Sequence, residues 1–291
     1  MKKEVPKKEV PHDKYFLKSL HQEIDLYDRK LAHLDKYVDF ASTAEREDAE
    51  KRLHAKRSPL VAAAKQLAAD GASVVVNYST SRAGADKVVE DISKSGGKAI
   101  AVGGSVAKES DVEALFDSTK KAFGKVDILV NNAGVYAFSP IEQVTADEYK
   151  RQFDTNVLGV LLATKAALPL FPSEGGSVIN ISSVVSTLAP PGASIYASTK
   201  GALDTITKSL AKELGPRKIR VNAINPGLVN TEGTQSAGMA GSDFEKEAVA
   251  RTPLGRVGQP EDIAMPVAFL ASEDARWITG ETIFVSGGSA I

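Results

Sequence analysis

Cysteine is absent from this 291-residue chain, and histidine is absent after residue 54. The four histidines are His12, His21, His33 and His54. From residue 55 onward this excludes thiol nucleophiles, His-based triads and His-ligated metals. Disulfide staples are excluded as well, and the lack of cysteine fits a reducing, cytoplasmic setting. No apolar run is long enough to span a membrane. The opening MKKEVPKKEVP has no apolar stretch of the kind a secretory signal carries. Charge of one sign is missing too: the net charge is −1, which favours neither nucleic acid nor an anionic membrane surface. Glycine is missing from the first 70 residues, Gly71 being the first. What remains is 43% hydrophobic and 25% charged, the composition of a soluble globular chain that can bury one good core plus an appendage.

The composition changes near residue 58. Residues 1–57 hold 14 Lys/Arg and 12 Asp/Glu, whereas residues 58–291 hold 22 and 25. KKEVP occurs twice in tandem over 2–11, and its prolines and lysines read as an extended, solvated leader over 1–12. Leu17, Leu20, Ile24, Tyr27, Leu31, Leu34 and Val38 then recur at spacings of 3 and 4, a heptad seam on one helix. Ser42 followed by Glu45 is a capping box for a second helix. The expectation is a helical hairpin over 13–57, followed by a separate domain over 58–291.

From Leu60 the pattern alternates helix and strand. A helix stops at Gly71, and Ser73-Val-Val-Val-Asn-Tyr reads as a buried parallel strand. Helices are predicted over 82–95, 109–123, 145–169, 195–214 and 260–271, with strands at 99–102, 126–131, 177–181, 219–224 and 282–285. Alternation of this kind predicts an α/β domain, a Rossmann-like doubly wound parallel sheet covered on both faces.

With histidine and cysteine gone, proton transfer falls to Tyr, Lys, Asp, Glu or Ser. Tyr196 and Lys200 share one face of a predicted helix at i, i+4. Of the seven tyrosines, only Tyr196 has a lysine four residues on. A phenol with a pKa near ~10 is a poor base at neutral pH, but an adjacent ammonium favours phenolate. So tuned, tyrosine can exchange a proton with an alcohol or carbonyl oxygen. Three strand exits accompany the pair: Ile181-Ser-Ser183, Asn131-Asn-Ala-Gly134 and Asn225-Pro-Gly227. In a parallel sheet such exits share the carboxyl rim, where ligands bind.

Asn131-Asn-Ala-Gly134, Asn156, Ser183, Tyr196-xxx-Lys200, Pro226-Gly-x-Val-x-Thr231 and the closing Thr279-Gly...Ser286-Gly-Gly resemble the short-chain dehydrogenase/reductase family over about Val61–Ile291. The similarity is greatest to its bacterial glucose 1-dehydrogenase and β-ketoacyl-carrier-protein reductase members. The resemblance implies an oxidoreductase moving hydride between NAD(P)(H) and a carbonyl/alcohol pair. It implies Tyr196 as general acid/base, Lys200 as pKa depressor and ribose holder, Ser183 as donor to the reacting oxygen, and Asn156 as anchor of a relay water. Asn131, Ala133 and Gly134 would line the adenosine ribose side, and Pro226, Gly227, Val229 and Thr231 the nicotinamide. A small-molecule substrate and a homo-oligomer, tetramer or dimer, are implied as well. Where an acidic residue would grip a ribose 2′-hydroxyl, the chain has Asn77-Tyr78-Ser79 with Arg82 close behind. That leans towards NADP(H) and leaves NAD(H) open. Ser105 stands where the family usually has an adenine-binding aspartate.

One part of the resemblance is missing. The family's first strand and Gly-rich loop would fall before Ala62, with the three glycines at His54, Ser58 and Leu60, and upstream the chain reads Glu45-Arg-Glu-Asp-Ala-Glu-Lys-Arg52. Glycines there let backbone N–H groups approach a diphosphate. Three expectations therefore stand side by side: a working oxidoreductase, a fusion with impaired cofactor binding, and a helical hairpin serving assembly or a partner.

Overall fold

A computed structural model describes residues 59–231 and 242–290, and for Pro59 and Leu60 the backbone alone. The leader and the hairpin expected over 1–57 lie outside the described residues. Helix α1 (Pro59–Ala69) opens on proline, whose fixed φ suits a first helical turn, and its chain leaves through Gly71 at φ 97°. Then follow β1 (Ser73–Tyr78), α2 (Arg82–Lys94), β2 (Lys98–Gly103), α3 (Glu109–Phe123) and β3 (Ile128–Asn131). Next come α4 (Ala146–Phe153), a π-helical turn (Asp154–Leu158), α5 (Gly159–Ala167) and β4 (Gly176–Ile181). The chain continues through α6 (Val185–Leu188), α7 (Ser194–Leu214), β5 (Ile219–Pro226), α8 (Asp243–Arg251), α9 (Pro260–Ala271) and β6 (Thr282–Val285).

All strand pairs are parallel, in two sheets: β1 with β2, and β3-β4-β5-β6. The wider sheet aligns Leu129 with Val178, and Val178 with Val221. Apolar residues alternate between its faces, as the strand period requires. Val178 and Val221 pack with Val112, Leu115 and Phe116 of α3, Ala163 of α5, and Ala211 and Leu214 of α7. On the other face Ile179 and Ile224 meet Ala63 of α1 and Ile263, Val267 and Leu270 of α9. These strand residues are fully buried.

Among the described residues, nothing pairs with the second edge of β1 or of β3. Val74, Val75 and Val76 of β1, and Ile128, Leu129 and Val130 of β3, are accordingly only half-buried. Helix α1 bridges the two sheets. Its Ala62, Ala63 and Leu67 join the β3–β5 cluster, while Val61, Ala64 and Ala68 join Val74, Val76, Val88 and Ile92 around β1 and α2. The sheets are held in one body by side-chain packing across this helix and by α3 beneath.

The single helix expected over 145–169 is broken by the π turn at Asp154–Leu158. One extra residue in a helical turn leaves the apolar spacing on either side intact, so periodicity does not register it.

Candidate active site

Four of the expected side chains converge at the carboxyl rim of the wider sheet. Tyr196 and Lys200 lie on α7, one turn apart, with Lys200 Nζ 5.8 Å from the Tyr196 ring centre. Ser183, just past β4, lies near enough to the Tyr196 hydroxyl to pull its pKa down. Its neighbour Ser182 donates to the Lys200 carbonyl at 3.2 Å, tying the β4 exit to α7. Lys200 is 5% exposed, and its Nζ donates to the Ile181 carbonyl at 2.8 Å.

Asn156 comes from the π turn and is 1% exposed. Its Oδ1 accepts from Val135 N at 2.7 Å, and its Nδ2 donates to Val135 O at 2.7 Å and to Thr199 Oγ1 at 3.0 Å. The side chain therefore clasps the strand exit after Gly134. A Cβ added at Gly134 would lie 3.5 Å from Asn156 Oδ1 and 3.6 Å from Lys200 Nζ, so this glycine stands between the two.

Burial pushes the Tyr196 phenol up to about 12, against the neighbouring Ser183, which pulls it down. Burial pushes the Lys200 ammonium down to about 8, against the Asp204 carboxylate, which raises it. In this state the tyrosine holds its proton through the neutral range, and the lysine changes charge within it. A protonated phenol beside a buried ammonium is a proton donor with a cation ready to hold the phenolate it leaves.

Other expected positions divide between rim and interior. Asn131 is 8% exposed, and its Nδ2 donates inward to Asn180 Oδ1 at 3.0 Å and Thr164 Oγ1 at 3.3 Å. Asn180 passes the chain on to Thr207 at 2.9 Å. The Val229 side chain belongs to the core cluster of Ile224 and Ile263, so it can offer the rim only its main chain. Pro226 and Gly227 are half-buried at the end of β5, with the Pro226 carbonyl accepting from Val184 N at 3.0 Å. Ala133 and Thr231 are half-buried. On the narrower sheet, Asn77 Nδ2 donates to Val102 O and Gly104 O at 3.1 and 3.0 Å, locking the ends of β1 and β2 together. Tyr78 lays its ring by Gly103, where an added Cβ would come within 3.1 Å, and Ser79 follows, half-buried. Arg82 lies at the start of α2 with its side chain 79% exposed, 3.5 Å from Asp86. Ser105 donates its N–H to Asp111 Oδ2 at 3.0 Å.

The residues fit a nicotinamide–ribose end at Tyr196, Lys200, Gly134 and Gly227. At Gly227 a Cβ would meet Ser286 at 3.0 Å, so backbone approach there depends on glycine. They do not supply a glycine cradle for a diphosphate at the start of α1.

Two groups were missed in the sequence. Tyr136 and Phe138 follow Gly134 directly and set their rings 5.7 and 6.1 Å from Tyr196. Their place right after the strand exit was the available signal. Asp204, a further turn along α7, was missed too; it joins the site by pairing with Asn225 of the expected β5 exit (Asn225 Nδ2 to Asp204 Oδ2, 3.1 Å).

Among the described residues no group of three or more His, Asp or Glu could hold a metal, and no helix is long and apolar enough to cross a membrane.

The family model described as enoyl-(acyl carrier protein) reductase matches residues 56–290. An uncharacterised oxidoreductase of Methylorubrum extorquens is 59% identical over 227 residues, covering 78% of this chain and 91% of that protein. The solved short-chain dehydrogenase/reductase of Serratia marcescens superposes with a TM-score of 0.75 at 33% identity, covering 81% of this chain and 95% of the other. An angucycline C-6 ketoreductase solved with bound NADP gives a TM-score of 0.75 at 38% identity, covering 80% and 92%.

Proposed function

The chain belongs to the short-chain dehydrogenase/reductase family, NAD(P)-dependent oxidoreductases of carbonyl/alcohol substrates, and from that premise we propose that it works as a carbonyl reductase with Tyr196 as the acid. The observation that carries this reading is the convergence on half-buried Tyr196 of Ser183 beside its hydroxyl and of buried Lys200, whose Nζ lies 5.8 Å from its ring centre. When bound, the nicotinamide supplies the hydride. The carbonyl carbon gains that hydride, and its oxygen takes the Tyr196 proton as the C=O double bond becomes a C–O single bond. Ser183 donates to the same oxygen and orients it. Lys200 lies close enough to stabilise the resulting phenolate. Asn156 holds Val135 and with it the wall beside Gly134, and any relay water would be anchored from this turn.

NADP(H) is favoured over NAD(H). No carboxylate stands at Asn77-Tyr78-Ser79 to repel a 2′-phosphate, and the exposed Arg82 side chain lies just beyond. The ketoreductase solved with NADP supports this choice. Exposed large apolar side chains support a homo-oligomer: Tyr149, Leu158 and Leu161 on the α4–α5 run, and Met265, Phe269, Phe284 and the almost fully exposed Trp277.

The test is carbonyl reduction by the full chain with NADPH, followed by nicotinamide absorbance, beside Tyr196→Phe. Loss of turnover in the variant with NADPH binding kept supports the reading, and unchanged turnover ends it. The missing glycines and the open edges of β1 and β3 favour a second reading, an active centre with a weakened cofactor grip. A fluorescence titration with NADPH separates the two: binding at about micromolar concentration removes the second reading, and none up to about millimolar removes the first.

A further inference from the structure

Asn225 is fully buried at the end of β5, and its single amide nitrogen is surrounded by acceptors from three places. Nδ2 lies 3.1 Å from Asp204 Oδ2, 3.3 Å from Asp204 Oδ1, 3.1 Å from Ser186 Oγ and 3.2 Å from the Ser183 carbonyl. Its Oδ1 has no partner among the described residues. Turning the amide over would set that oxygen against a carboxylate and a carbonyl, so the acceptors fix its orientation even though Oδ1 is left unpaired.

The turn that Asn225 holds carries Ser183. Ser186 N donates to the Ser183 carbonyl at 3.1 Å, and Val185 N to Ser183 Oγ at 3.3 Å, so the amide braces the backbone that carries Ser183 beside Tyr196. The other end of the brace is Asp204, which follows Tyr196 and Lys200 on α7 at spacings of four, on one helix face. Among the described residues, the ionisable groups acting on Lys200 are Tyr196 and Asp204, both from its own helix. The neighbouring elements present neutral groups to it: the Ile181 carbonyl, Ser182, and Gly134 backed by Asn156.

We propose that Asp204 is a positioning residue of the reaction centre, acting through Asn225 on the Ser183 turn and through its charge on Lys200. The inference rests on the roles given above to Tyr196, Ser183 and Lys200. Asp204 touches neither substrate nor reacting atoms. It sets where one hydroxyl points and keeps one buried ammonium charged.

The charge arm can be tested without turnover. In full-length protein labelled with ¹³Cε-lysine, the Lys200 resonance is assigned by its loss in Lys200→Arg and then titrated. In Asp204→Asn its midpoint falls by about one pH unit, because the opposing carboxylate is gone, and in Asp204→Glu it returns towards the parent value. The alkaline limb of kcat/KM for carbonyl reduction shifts in the same direction. An unshifted Lys200 midpoint in folded Asp204→Asn overturns the proposal. If Asp204→Asn does not fold, Asp204→Ser takes its place with the same two outcomes. Tyr196→Phe is measured alongside. If it retains full turnover, the active-site reading fails and this proposal with it. If it is inactive while Asp204→Asn shows no shift, this proposal alone fails.

Discussion

Asn156 grips Val135 with both ends of its amide, at 2.7 Å to the N–H and 2.7 Å to the carbonyl. The π turn makes this grip available by placing Asn156 below the exit of β3. Holding Val135 fixes Gly134 beside Lys200 on one side and starts the Tyr136–Phe138 wall on the other. Asn156→Ala leaves two buried backbone groups unpaired, a loss of about 2–4 kcal/mol. Urea unfolding should show that loss, and kcat should fall as the wall beside Tyr196 loosens.

The pH dependence of reduction follows from Lys200. Burial has lowered its pKa from 10.5 to about 8, so the ammonium is present below that midpoint and absent above it. Tyr196, raised to about 12, keeps its proton throughout this range and adds no limb of its own. Reduction should therefore slow as pH rises through about 8. Initial rates taken from one unit below to two units above the midpoint check this. Lys200→Arg, permanently charged, should lower the rate overall and abolish the limb.

Arg82 decides between the two nicotinamide cofactors if the 2′-phosphate sits at its end of β1. Its present partner is Asp86, 3.5 Å away, and both side chains are mostly exposed, so the pair is weak and free to exchange. Arg82→Ala should raise the KM for NADPH about tenfold and leave that for NADH nearly unchanged. Steady-state kinetics with both cofactors measure it, and equal effects on the two would remove Arg82 from cofactor choice.

Hydrogen exchange should record the open edges. β4 and β5 are paired on both sides, whereas β1 and β3 each pair on one side among the described residues. Amides of Val74–Val76 and Ile128–Val130 that point away from their one partner should exchange orders of magnitude faster than those of Val178, Ile179 and Val221. Residue-resolved exchange by NMR is the measurement. Protection of β1 and β3 equal to that of β4 and β5 would mean that a partner strand occupies the gap.

Much of this architecture was legible because buried parallel strands and their covering helices carry period and composition. Helix α3 and strand β6 fall where Glu109–Phe123 and Thr282–Val285 were expected, and α9 runs over Pro260–Ala271 as read. Helix α8 was not seen: Asp243–Arg251 buries no residue, so it has no apolar stripe to reveal it. At the site, the Tyr196–Lys200 spacing was legible because a helix converts four residues into one face. The inward turn of Asn131 and Val229 was not, because strand exits do not declare which way a side chain points. The Asn225–Asp204 contact was equally hidden, since it joins residues 21 apart that only the folding of β5 against α7 brings together.

Helix α1 has a role that its eleven residues do not advertise. In an unbroken sheet the spacing between strands is set by backbone hydrogen bonds, which tolerate little stretch. Between β1 and β3 that gauge is replaced by alanines, Ala62 and Ala63 resting on one sheet and Ala64 and Ala68 on the other. Side-chain contact is a softer ruler than a hydrogen-bond ladder. The separation between the Asn77–Ser79 rim and the Tyr196 rim is thus calibrated by methyl groups. One added methylene at Ala63, which is 1% exposed, would reset the span of the whole cleft without touching any residue that lines it.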